Sequence, residues 1–86
     1  MKKERDMKNK KLLSLVKQGE NVKIIGFERH GVTFLRRLQE MGILPGEVVK
    51  VVRNANLGPV EVIVKNSHLA IGRGIAAKIY VEELNE

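Results

Sequence analysis

The chain has 86 residues, 16 Lys and Arg against 10 Asp and Glu, three aromatic residues and no cysteine. That length allows one small domain with a small core and leaves little room for a closed catalytic pocket with its own supporting shell. The lack of cysteine excludes disulfides, thiolate zinc sites and a Cys nucleophile.

Residues 1–11 hold six basic and two acidic residues, so +4 of the net charge of +6 lies in this stretch. It has no apolar periodicity and is expected to be a disordered, solvated tail, residues 12–86 forming the domain. The domain is close to charge balance, which argues against a nucleic-acid binder with a basic stripe and stacking aromatics. No apolar run approaches the roughly 20 residues of a membrane span. The charged N-terminus lacks the apolar stretch of a signal peptide, and a cytoplasmic protein is the expectation.

Leu12, Leu13, Leu15 and Val16 form an apolar cluster of one or two helical turns, closed by Gly19. Residues 21–27 read as a strand with Val22 and Ile24 on one face, and Gly26 marks a bulge or bend. After a polar loop at 28–31, residues 32–41 carry Leu35, Leu38 and Met41 at helical spacing, with Val32 or Phe34 alongside and Arg36, Arg37 and Glu40 outward. Gly42 stands where a helix stops on a left-handed residue, and Pro45-Gly46 suits the centre of a type II turn. Strands are expected at 47–53, 60–65, 68–71 and 78–83, with a turn-rich loop at 54–59 and a tight hairpin at Asn66-Ser67. Residues 72–77 read as a turn or a single helical turn.

Five short strands and one inserted α-helix after the first strand describe a mainly β protein, a small, partly open barrel. The pattern leaves SH3-like and OB-type barrels open; strand count and length favour an SH3-like β-barrel.

Certain segments also resemble a known family. They are Leu35-Arg36-Arg37-Leu38, Met41-Gly42-Ile43-Leu44-Pro45-Gly46, Ala55-Asn56-Leu57-Gly58-Pro59, His68-Leu69-Ala70-Ile71 and Ala77-Lys78-Ile79-Tyr80-Val81. In this order and spacing they are similar to the FeoA family of bacterial ferrous iron transport. Gly72-Arg73-Gly74 departs from it, since relatives more often carry helix-forming charged residues there. The resemblance implies an SH3-like barrel that acts by contact with FeoB, a membrane permease with a cytoplasmic GTP-binding domain, and touches the membrane only through it. The same barrel resembles the C-terminal accessory domain of DtxR-type repressors. A regulator-associated or nucleic-acid-binding small barrel is therefore the alternative.

The residues offer little for catalysis. Glu28, His30 and His68 are the candidate metal ligands, too few for the three or four that zinc or iron sites commonly want. Gly72-Arg73-Gly74 is not followed by the Lys-Ser/Thr of a phosphate loop. No enzyme activity and no cofactor are expected. The candidate partner-binding residues are the apolar Ile43, Leu44 and Leu57 in turns, with Arg36 and Arg37 on the helix. Self-association is left open.

Overall fold

The computed structural model describes residues 10–28 and 31–84. In chain order these form β1 (Lys10–Leu12), a 3-10 turn (Leu13–Leu15), β2 (Asn21–Phe27), α1 (Val32–Glu40), β3 (Val48–Arg53), β4 (Val60–Val64), β5 (Ser67–Ile71), α2 (Arg73–Ala76) and β6 (Ile79–Glu83). The six strands make one antiparallel sheet in the order β1-β6-β2-β3-β4-β5. No ladder joins β1 to β5, so among the described residues these two strands are the edges of the sheet.

Alternation builds the core. Val22 and Ile24, Val49 and Val51, Val60, Val62 and Val64, Ile71, and Ile79 and Val81 all point inward and are buried. Their partners along each strand face solvent or the rim, as the two-residue period of a strand requires. The register shifts between Ile24 and Gly26 against Val81 and Tyr80. Ile25 is the extra residue of that bulge, at the place the glycine marked.

α1 lays Leu38 into the core, with Phe34 and Met41 packed against it. Phe34, not Val32, completes the stripe: Val32 is 74% exposed, while Phe34 meets Phe27 edge to face at 6.4 Å between ring centroids. The helix ends in a Schellman arrangement. Gly42 sits at φ +80°, its N–H donates to Gln39 O at 3.0 Å, and the Ile43 N–H donates to Leu38 O at 2.9 Å. The chain then turns through Pro45-Gly46, with the Glu47 N–H on Leu44 O at 3.0 Å.

Three expectations need correction. Lys10 and Lys11 are not tail: with Leu12 they form β1, paired with Glu82, Val81 and Tyr80 of β6. Lys11 Nζ also meets Glu83 Oε2 at 2.5 Å. A charge run hid a strand whose stability comes from its neighbour rather than from its own apolar pattern. The rest of the expected tail, 1–9, lies outside the described residues. The hairpin after β4 turns on Lys65-Asn66, one residue earlier than expected, both at positive φ as a type I′ turn requires. Finally, α1 follows the second strand, because β1 precedes it.

Candidate functional site

The loop between β3 and β4 is held by polar bonds rather than by burial. Asn54 opens it. Its Nδ2 donates to Ser14 O at 3.0 Å and Val16 O at 2.8 Å, and its Oδ1 accepts from the Asn56 N–H at 3.3 Å. Asn56 and Gly58 both take positive φ, which folds the loop back on itself. Arg73, the first residue of α2, supplies the second tie. Its Nε donates to Gly58 O at 3.0 Å, Nη1 to Ser14 O at 3.3 Å and Nη2 to Asn54 Oδ1 at 2.8 Å. One planar guanidinium with diverging donors thus links three segments distant in sequence.

This frame presents Leu57, which is 85% exposed, while Leu15 on the neighbouring 3-10 turn is 67% exposed. The carbonyls bonded to Asn54 and Arg73 flank Leu15, so the two leucines belong to one corner of the molecule. Each leucine leaves apolar surface open to solvent beside a frame that polar bonds already hold in place.

The other expected partner residues fall out differently. Ile43 is fully buried and is withdrawn as a surface contact. As the residue after the helix-stopping glycine it packs on Leu38, the apolar contact that accompanies a Schellman motif. Leu44 is half-buried at the turn, and Arg36 and Arg37 are exposed on α1. Leu15 was missed by sequence reasoning. The signal was available: in a 3-10 turn, Leu13 and Val16 share a side because the period is three, which turns Leu15 away.

The metal candidates are not gathered. Glu28, at the end of β2, accepts a hydrogen bond from the Tyr80 hydroxyl at 2.5 Å. That bond, with burial and the nearby charge of the same carboxylate, raises the phenol above its ordinary 10.0. His68, on β5, meets Glu61 Oε1 at 3.2 Å, and β3 and β4 stand between β5 and β2. His30 lies outside the described residues. Glu20, Asn21, Glu83 and Leu84 line a cavity of about 140 Å³, but Glu83 is already paired with Lys11. Among the described residues no three His, Cys, Asp or Glu side chains form a group able to hold a metal, and no helix is long and apolar enough to cross a membrane.

A sequence model of the FeoA domain matches residues 11–83. A relative from Methanocaldococcus jannaschii, provisionally named Fe(2+) transport protein A, is 45% identical over 71 residues, or 83% of this chain and 84% of its own length. Among solved structures, an iron uptake regulatory protein named FeoA matches with a TM-score of 0.82 at 27% identity, over 87% of this chain and 99% of that one. The FeoA of Stenotrophomonas maltophilia, solved with zinc and described as an SH3 domain protein, matches at a TM-score of 0.72 and 22% identity over 84% and 89% of the two chains. That likeness establishes the SH3-like architecture of the open sheet described above.

Proposed function

The chain belongs to the FeoA family, and from that premise we propose that it is a non-enzymatic accessory protein of ferrous iron transport. It works in the cytoplasm by docking onto the soluble part of a FeoB-like membrane GTPase. The observation that carries the docking reading is Leu57, exposed on a loop that Asn54 and Arg73 hold in place. Leu15 extends the contact and Leu44 is a secondary one.

An accessory protein of this kind changes its partner only if it binds two states of that partner unequally. A small apolar corner on a rigid frame suits that task, because a displaced loop on the partner uncovers it and loses the contact. Counting β1, residues 10–86 hold 12 basic and 8 acidic residues, so a basic excess of +4 stays on the fold, and it is the scarcity of stacking aromatics that favours this over nucleic-acid binding.

The test is a pull-down with the soluble domain of a FeoB-like transporter. Leu57→Glu weakens binding about tenfold or more, since it places a charge where apolar surface is covered. Charge reversal at Arg36 and Arg37 changes binding less. Tight nucleic-acid binding that falls steeply with salt, with no transporter binding, would sink the reading.

A further inference from the structure

Among the described residues β5 is an uncovered sheet edge. Its hydrogen-bonded neighbour is β4, and the sheet ends there. The Lys65-Asn66 turn decides which of its backbone groups face which way. In a two-residue hairpin the flanking residues exchange both ladder bonds, and bonded pairs recur at every second position. With the register Val64↔Ser67, Val62↔Leu69 and Val60↔Ile71, the N–H and C=O of Ser67, Leu69 and Ile71 point to β4. Those of His68 and Ala70 point out of the sheet, and both residues are exposed. None of these four groups meets a partner among the described residues.

Natural sheets usually guard such an edge with lysine, proline, a bulge or a very short strand. The opposite edge conforms: β1 has three residues, two of them Lys10 and Lys11. β5 reads Ser-His-Leu-Ala-Ile. It has no lysine and no proline, and pairs with β4 without a register shift.

We propose that β5 pairs antiparallel with β5 of a second copy of this chain, on a two-fold axis through Leu69. The outward groups of His68 and Ala70 in one copy then meet those of Ala70 and His68 in the other, making four backbone hydrogen bonds. Leu69 faces its own counterpart in the close, non-bonded pair. Leu69 is half-buried against the core, and its counterpart covers what remains open. On the outer face the registered pairs Glu61↔Ala70 and Ile63↔His68 line up as Glu61, Ala70, then His68 and Ile63 of the second copy. No like charges meet across that seam, and the small Ala70 lies opposite the imidazole.

Neighbouring registers are worse. Centring on His68 sets two imidazoles face to face and puts Ala70 opposite Asn66 in the turn. Centring on Ala70 brings in Gly72, whose carbonyl already accepts the Ala76 N–H at 2.9 Å. The self-complementary register makes a second copy, rather than an unrelated extended peptide, the occupant. Docking through Leu57 is separate from it.

Sedimentation equilibrium of the full chain at physiological salt, over a range of concentrations, tests this. A monomer–dimer equilibrium is expected. Ala70→Pro removes an outward N–H that β4 does not use, and so weakens the dimer about tenfold or more while the circular dichroism of the monomer is kept. A chain that stays monomeric throughout, or a dimer equally stable in Ala70→Pro, overturns the proposal. The chain has no cysteine, so cross-linking gives an independent readout should the proline variant misfold. Leu69→Cys lies on the axis and oxidises to a covalent dimer. Ser67→Cys lies four residues from its counterpart and does so much more slowly. Equal rates for the two overturn the register.

Discussion

Replacing Arg73 by alanine tests whether the loop carrying Leu57 is tied as described. The guanidinium makes three hydrogen bonds, at 2.8, 3.0 and 3.3 Å, to Asn54 Oδ1, Gly58 O and Ser14 O. A charged donor contributes roughly 1.5–3 kcal/mol per bond. The bond to Gly58 is exposed and the one to Ser14 is long, so the sum is discounted to about 2 kcal/mol. Helix propensity works the other way, since alanine is the best residue for α2, but by only a few tenths of a kcal/mol. A domain of this size has a total stability of roughly 5–10 kcal/mol, and its urea slope is about 1 kcal/mol per molar. The unfolding midpoint in urea should therefore fall by about 1.5–2 M. Arg73→Lys should fall almost as far, because one ammonium cannot reach three diverging acceptors. Hydrogen exchange should quicken at Asn56, whose N–H bonds to the Asn54 side chain that Arg73 positions. An Arg73→Ala midpoint within about 0.3 M of the parent, on an unchanged slope, would refute the reasoning and make the guanidinium a surface decoration.

Leu38→Ala empties the fully buried centre of the α1 face and should cost about 2–5 kcal/mol, read as a variant partly unfolded in dilute urea; an unchanged midpoint would mean the helix face is misplaced. Deleting residues 1–9 should leave the melting temperature nearly unchanged, whereas deleting 1–12 removes β1 and its pairing with β6 and should lower it by several degrees; equal effects would place β1 outside the fold. Tyr80 is the one tyrosine of the chain, so an ultraviolet absorbance titration reports it alone. Its folded-state value is raised above 10.0, first by the hydrogen bond to Glu28, so its stabilising contribution is whole below pH 10 and is lost as pH rises through the higher folded value. Glu28→Gln should bring the titration back toward the ordinary range, and no movement would show the bond is not formed.

Local chemistry alone determined most of the elements, because their signals lie within a few residues of one another. Val60, Val62 and Val64 announce a half-buried strand by alternation. Gly42 and Pro45-Gly46 announce a helix stop and a turn by the backbone angles they permit. The family, too, was legible in the order of such segments. Three things were decided by the tertiary structure. β1 exists because β6 offers Lys10–Leu12 a ladder, and pairing between residues some 70 apart leaves no periodic trace in a run of lysines. Ile43 and Leu57 look alike in sequence, both large apolar residues in turns. One is buried because the Schellman turn aims it at Leu38, and the other is exposed because polar bonds from Asn54 and Arg73 hold its loop off the core. Arg73 itself read as part of a glycine-rich turn. Its role depends on acceptors at positions 14, 54 and 58, which only the folded chain brings within reach of one guanidinium, since hydrogen bonds act over about 3 Å and sequence patterns report only neighbours along the chain.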